Sequence, residues 1–384
     1  MIITPLLQLA VEKNVADMFF TVGAPINLKI DGVMQPANAQ VLDGEAVKRI
    51  AYEMMTPEQI ATFEATMEIN FSFRVMGVGN FRVNVFRQRG SLAIVVRYIR
   101  AKIPNVEELN LPLILNQLVM EKRGLILAVG ATGSGKSTTL AAMLEYRNNT
   151  QTGHILTIED PIEYLFRHNK SLVNQREIGG DTVSYGHALA SAMREAPDVL
   201  MIGEIRDRET LKHGLIFSQT GHLCLSTMHA NNSYHALNRI ANFFPHDERK
   251  AVLSDLSLSL RAVVSQRLIP STTGKLVPAV EVLLNTSLVS NLIKNDEIDK
   301  IREAIEKSMS PGSQTFEQAL VKLFKAGKIS KEEAMRNADS ASNISSLIDF
   351  SQTTKMRAYG SQPEGGEAPT NFDTIKLNID KPGG

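Results

Sequence analysis

The sequence predicts an α/β fold built around a phosphate-binding loop, with a small α+β domain ahead of it and a helical bundle behind. Three observations carry that prediction. Residues 130–137 read Gly-Ala-Thr-Gly-Ser-Gly-Lys-Ser and follow the apolar run Gly124 to Val129 directly, which is a strand, a glycine-rich loop and a helix start. Beyond residue 112, strand-like apolar runs alternate with helical ones, the pattern of a parallel sheet. The first hundred residues instead carry short strands separated by turn residues, and the stretch from Thr286 to Arg336 is helical in character.

The elements follow in order. Leu6 to Lys13 is a short helix, followed by strands over Met18 to Val22 and Ile26 to Ile30 and a hairpin-type turn at Asp31-Gly32. Helices are expected over Glu45 to Met55 and Pro57 to Met67, the second with proline at its first position. Strands over Phe71 to Val75, Phe81 to Arg87 and Leu92 to Ile99, with a turn at Gly77 to Asn80, form an antiparallel meander and close a domain of residues 1–101. Residues 102–112, with Pro104 and Pro112, read as a linker. The core, residues 113–285, takes strands over Leu125 to Val129, Ile155 to Ile158, Val199 to Ile202, Leu223 to Thr227 and Val277 to Leu284. Its helices are expected over Lys136 to Tyr146, Ser184 to Arg194, Glu209 to Gln219, Ser233 to Asn242 and Glu248 to Gln266. A separate C-terminal bundle spans 286–336. Residues 337–384 lose apolar content and gain Ser, Gly and Pro, which reads as a disordered tail in which Phe372 to Ile379 has the character of an added strand.

Composition bounds the function. A 43% hydrophobic, 21% charged chain is ordinary for a globular protein. Lys plus Arg equals Asp plus Glu at 41, so the overall basic signature of a nucleic-acid binder is missing. Cys224 is the only cysteine, which excludes a disulfide framework and a Cys-x-x-Cys metal site. No stretch approaches the roughly 18 apolar residues of a membrane span, and the N-terminus lacks the basic region of a secretory signal. The expected location is cytoplasmic, with no direct membrane insertion and any membrane association made through partners.

The chemistry is concentrated in a few boxes. In the loop Gly130, Ala131, Thr132, Gly133, Ser134, Gly135, Lys136, Ser137 and Thr138, the glycines let successive N–H groups turn toward phosphate oxygens. Lys136 supplies charge for the β- and γ-phosphates of ATP, and Ser137 supplies a hydroxyl ligand for Mg2+. The helix start adds its positive dipole end. Glu204 ends the apolar run Val199 to Gly203 at the carboxyl edge of the sheet, where ligands of open α/β sheets sit; it is expected to hold Mg2+, directly or through water. Thr157 to Glu163 puts Glu159, Asp160 and Glu163 within five residues. Like charges this close need a cation or partner, so a general base is expected here, with Glu163 chosen over Glu159. His222 and His229 bracket the apolar run Leu223 to Ser226; a seven-residue separation places them on opposite faces of a strand, which argues against a two-His metal pair. Arg74, Arg82, Arg87, Arg89, Arg97 and Arg100 crowd the strands before the linker. They form either a solvated basic face or a source of arginine fingers, each worth about 10³ to 10⁵ in rate; Arg82 and Arg97 are the candidates.

Five boxes in order carry a family resemblance: GATGSGKST, TIEDPIEY, VNQREIGGDT, APDVLMIGEIRDRET and TGHLCLSTMH. Over Met1 to about Asn337 the chain resembles the type IV pilus retraction ATPases, the PilT/PilU branch of the secretion-ATPase superfamily. The resemblance implies a PAS-like N-terminal domain, a RecA-like P-loop core and a homohexamer with ATP at its subunit interfaces. It also implies a motor that acts with an inner-membrane pilus platform protein. By motif, Glu163 matches the catalytic acidic-box glutamate, Glu204 the Walker B glutamate, His222 and His229 the histidine box, and Arg82 and Arg97 the arginine-bearing strands. One run departs: where the PilT pattern reads close to Ala-Ile-Arg-Asn-Leu-Ile-Arg-Glu, this chain has Leu288-Val-Ser-Asn-Leu-Ile-Lys-Asn295, keeping Asn291, Leu292 and Ile293. Residues Ser310 to Glu317 and the long tail resemble PilU, which implies an accessory to a PilT-type ATPase. A pilus-assembly or type II secretion ATPase is the alternative; the single cysteine and short N-terminal domain weigh against it. A RecA-like nucleic-acid motor is disfavoured by the charge balance, and no nucleic-acid partner is expected.

Overall fold

A computed structural model describes residues 3–13, 15–30, 32–99, 102–308, 310–340 and 342–348. The N-terminal domain opens with α1 (Thr4–Glu12), which buries Leu7 and Ala10. Strands β1 (Asp17–Thr21), β2 (Pro25–Ile30) and β3 (Val33–Val41) follow, each antiparallel to its neighbour. Ile30 pairs with Val33 and Gly32 has φ +83°; Asp31 lies outside the described residues. Asp43 caps α2 (Gly44–Met54), accepting from the Ala46 N–H at 2.7 Å. Thr56 and Gln59 form a reciprocal capping box on α3 (Pro57–Thr66). Strands β4 (Glu68–Val75), β5 (Gly79–Gln88) and β6 (Ser91–Ile99) complete a six-stranded antiparallel sheet of order β3-β2-β1-β6-β5-β4. Along β5 the buried Phe81, Val83 and Val85 alternate with residues on the other face, and Phe20, Phe63 and Ile94 fill the same core.

Strand β3 was not expected, because it is exposed along nearly its whole length and contains Pro36. It pairs with β2 alone, and an edge strand tolerates both features.

Within the linker, Val106 and Leu111 are buried against the second domain. That domain begins with α4 (Ile114–Leu118) and β7 (Gly124–Val129), every residue of which is buried. The phosphate loop leads into α5 (Lys136–Thr150), then β8 (Gly153–Glu159), β9 (Ser171–Glu177), α6 (Tyr185–Ala192), β10 (Val199–Glu204), α7 (Arg208–Gln219) and β11 (Leu223–Met228). Helices α8 (Ser233–Asn242) and α9 (His246–Ser259) precede β12 (Leu260–Pro270) and β13 (Leu276–Leu284). The sheet order is β13-β12-β7-β11-β10-β8-β9, parallel except for β13. Two of its strands correct the expectation. Residues 171–177 had no assigned strand and form β9. The helix expected over Glu248 to Gln266 stops at Ser259, and Leu260–Pro270 runs as a parallel strand beside β7. Ala262, Val263 and Val264 are buried on both faces, so the run shows no alternation that would separate strand from helix.

Helices α10 (Ser287–Lys294), α11 (Ile301–Glu306), α12 (Phe316–Lys325) and α13 (Lys331–Arg336) follow. They pack onto the sheet domain in two groups. Val289, Ile293, Ile301 and Ile305 join the apolar core of β7 and β10. Phe316 and Leu320 form a second cluster with Ile269 and Ala279 of the last two strands. Packed structure also continues past residue 336: residues 342–348 are helical and bury Ile344 and Ile348 in that second cluster. The rest of the expected tail, residues 349–384 with Phe372 to Ile379, lies outside the described residues. Among the described residues no helix is long and apolar enough to cross a membrane.

Candidate active site

Parallel strand order brings the boxes together. The carboxyl ends of β7, β8, β10 and β11 deliver the phosphate loop, the acidic loop, Glu204 and His229 to one edge of the sheet. A cavity of about 430 Å³ lies there, with Lys136, Ser137, Thr138, Glu163, Glu204 and His229 in its walls.

The loop is shaped by its glycines. Gly133 and Gly135 have φ +76° and +90°, conformations open to residues without a Cβ. At Gly130 a Cβ would come within 2.4 Å of the Ser134 Oγ and 2.5 Å of the Gln266 carbonyl oxygen. At Gly135 it would meet the Gln266 Nε2 at 2.7 Å. Gln266 therefore forms the floor of the loop, and its Oε1 accepts from the Thr139 Oγ1 at 2.6 Å. This residue was assigned to the end of a helix, and only the strand β12 puts it here. Lys136 donates to the carbonyl oxygens of Gly130 at 3.0 Å and Ala131 at 2.9 Å, which holds its ammonium in the loop's concavity. Burial pulls its pKa down, while Glu204 and Glu163 pull it back up.

Glu204 is nearly buried and engaged on both oxygens. One accepts from the Arg206 Nε at 2.8 Å and the other lies 3.2 Å from the His229 Nε2. The Glu204 carboxylate in turn holds the Arg206 guanidinium above its ordinary pKa. Glu163 is exposed on the loop after β8. Its neighbour Tyr164 is tied on two sides: the carbonyl accepts from the Gln175 Nε2 at 2.8 Å and the hydroxyl shares a hydrogen bond with the Thr138 Oγ1 at 2.9 Å.

Glu159, passed over in favour of Glu163, is buried and accepts from Thr157 at 2.7 Å and Gln175 at 3.2 Å. Burial pushes its carboxyl up from 4.5 to about 7, against those two hydrogen bonds. A folded pKa above the unfolded value means that the contribution to stability is complete below about 4.5 and is lost as pH rises through about 7. The expected result is a melting temperature that falls across that window relative to Glu159→Gln, by the equivalent of roughly 3 kcal/mol. Parallel melting curves for the two proteins from pH 4 to 8 would show that Glu159 does not titrate this way.

Gly203 has a similar explanation. A Cβ there would stand 2.8 Å from the Tyr185 hydroxyl and 3.2 Å from the Glu159 Cα. Gly203→Ala is expected to destabilise the fold by about 1–3 kcal/mol, read as a lowered midpoint in urea unfolding; an unchanged midpoint would mean that this packing is slack.

The remaining sequence-derived residues are placed elsewhere in this chain. His222 precedes β11, at the opposite end of the strand from His229, and its Nδ1 sits 3.1 Å from the Thr220 Oγ1 and 3.3 Å from the Phe217 carbonyl. Arg82 and Arg97 pair directly across β5 and β6, on the sheet face away from the apolar core. Arg97 donates from Nε to Asp17 at 2.7 Å, and neither arginine lines the cavity. Arg100 lies outside the described residues.

The model of the family described as type II/IV secretion system protein matches residues 1–348. This chain belongs to that family. This secretion ATPase binds nucleotide and hydrolyses ATP. It is 45% identical to the type IV pilus ATPase PilU of Pseudomonas aeruginosa over 94% of each chain. It is 40% identical to the pilus retractation ATPase PilT of the same organism, covering 89% of this chain and 99% of that one. A crystal structure of the pilus retraction motor PilT with bound ADP superposes with a TM-score of 0.82 at 40% identity, covering 88% of this secretion ATPase and 97% of that chain. That likeness accounts for both layers of the fold, the N-terminal domain and the P-loop core.

Proposed function

We propose that this secretion ATPase is a PilU-like motor for type IV pilus retraction, working as a homohexamer alongside a PilT-type ATPase. The match to PilU across 94% of both chains, with Lys136, Ser137, Glu163, Glu204 and His229 gathered in one cavity, carries this reading. ATP lies along the phosphate loop, with Lys136 on the β- and γ-phosphates. Ser137 and Glu204 line one cavity and offer the hard oxygen donors that suit Mg2+; the ion, when bound, neutralises phosphate charge. Glu163 takes the proton of the attacking water, and His229, held by Glu204, senses the γ-phosphate.

Arg82 and Arg97 stand on the N-terminal domain, outside their own chain's cavity, which fits delivery to a neighbouring subunit's nucleotide. A role for His222 would likewise run through a subunit boundary. ATP binding draws the N-terminal domain against the neighbouring core, and hydrolysis and phosphate loss release it, with the segment 102–112 as the hinge. Because Val106 and Leu111 are docked on the core, the bending falls ahead of Val106. The motor sits on the cytoplasmic side of the inner membrane, against the pilus platform protein.

Light scattering of the purified protein, with ATPase assays alone and with a PilT-type partner, tests the assembly. A six-chain particle is expected, with turnover that rises on assembly. A monomer that hydrolyses ATP at full speed would remove the subunit-boundary mechanism. A strain lacking the gene should keep its surface pili; a bald strain would favour pilus assembly instead.

A further inference from the structure

Glu177 ends β9 with its backbone pinned. Its N–H donates to the Asp181 carboxylate at 2.8 Å, and its carbonyl accepts from the N–H groups of Asp181 at 2.9 Å and Thr182 at 3.2 Å. Beside it, Glu159 of β8 pairs in register. The side chain reaches from this fixed root to two different bodies. One carboxylate oxygen accepts from the Ser72 Oγ at 2.7 Å, on β4 of the N-terminal domain. The other accepts from the Ile162 N–H at 3.2 Å, one residue before Glu163.

We propose that Glu177 is a positioning residue that couples the N-terminal domain to the acidic loop, setting where Glu163 stands. This rests on the assignment of Glu163 as proton acceptor. The loop has one anchored end, where Gln175 and Thr138 hold Tyr164. Ahead of it, the Ile162 N–H hangs on Glu177, while the Glu163 N–H itself is bonded to the Glu159 carboxylate. Glu177 therefore holds the one residue of this stretch that is tied to a group in contact with the N-terminal domain. The domains meet there across a cleft of about 530 Å³, lined by Gln59, Asn70 and Ser72 on one side and Ile162, Glu177 and Gly180 on the other. Such a cleft leaves room for the N-terminal domain to rock. When it rocks away, Ser72 leaves the carboxylate, which is then free to turn and carry Ile162 with it. A displacement of about 1 Å at a reacting group costs on the order of a hundredfold in rate. The contact therefore makes hydrolysis sensitive to the position of the N-terminal domain, the part proposed to serve the neighbouring subunit.

Steady-state ATPase kinetics on the full chain test this. Glu177→Ala is expected to lower kcat by about tenfold or more while KM for ATP stays within about twofold. Glu177→Gln keeps the bridge, since its amide oxygen accepts from Ile162 and its NH₂ donates to Ser72, and should recover kcat to within about threefold. Ser72→Ala should slow turnover by about threefold or more, and Ser72→Thr should restore it. In a Glu163→Gln background, Glu177→Ala should add almost nothing, because the group it positions is gone.

Multiplicative losses in that double variant, or a Gln variant as slow as the Ala one, would overturn the coupling. If Glu163→Gln is slow while Glu177→Ala and Ser72→Ala turn over normally, the coupling fails and the proton acceptor stands. If Glu163→Gln is as fast as the unmodified protein, the proton acceptor falls and the coupling falls with it. Should Glu177→Ala not fold, the Ser72 pair decides, because Ser72 is exposed on β4.

Discussion

Lys136→Ala is expected to abolish measurable ATP turnover, a loss of at least about 10² to 10³ in kcat, worth roughly 3–4 kcal/mol of barrier. The lysine is buried at the base of the loop and its ammonium rests on two loop carbonyls. In the proposed mechanism that puts a cation where the transferred phosphoryl group gathers negative charge, in a setting with little water to substitute for it. Methyl for butylammonium removes the charge without disturbing the glycines or the start of α5, so assembly and thermal stability should survive. Phosphate release, nucleotide binding and particle size, measured on one preparation, separate these effects. Turnover within tenfold of the unmodified protein would mean that the loop is not the site of hydrolysis.

The loop was legible because its signal is local. Eight contiguous residues specify the turn, and the apolar run before them specifies a strand buried on both faces. Glu204 was legible for the same reason, as an acid that closes an apolar run. Gln266 was not. It reaches the loop only because β12 lies beside β7, 127 residues after Thr139, with which it shares a hydrogen bond. Nothing between Ser259 and Leu260 marks the change from helix to strand: there is no glycine or proline, and the run Ala262 to Val264 is apolar on both faces. The acidic loop illustrates the second kind of gap. Counting carboxylates shows that Glu159, Asp160 and Glu163 are crowded, yet burial divides them: Glu159 faces inward with two donors, while Asp160 and Glu163 are exposed. Burial of alternate residues after a strand end depends on what packs above them, here Thr157 and Gln175 from two strands.

The histidines and arginines show a third kind. Strand geometry separates His222 from His229, and the structure places them at opposite ends of β11. Membership of one box does not make them members of one site within a chain. Arg82 and Arg97 are adjacent because β5 pairs with β6 in that register, and their distance from the cavity is a property of a single protomer. A residue whose function lies across a subunit boundary leaves no trace in the geometry of one chain, except that it is exposed and its own cavity does without it.

Glu163→Gln separates binding from chemistry. The amide keeps the size of the side chain and the ties of Tyr164 to Gln175 and Thr138, but it cannot take a proton from water. Loss of a general base costs about 10² to 10⁴ in kcat, and because the phosphates are held by other residues, ATP affinity should change little. The neighbouring acids are poor substitutes. Glu204 is committed to Arg206 and His229, and Glu159, with a carboxyl near 7, is buried beneath two donors. Single-turnover rates for Glu163→Gln and Glu159→Gln, set beside nucleotide binding by each, decide between them. A slow Glu163 variant with normal binding places the base on the exposed loop. A normal rate there, combined with a slow Glu159 variant, would move the base to the buried carboxyl and make hydrolysis rise with pH through about 7.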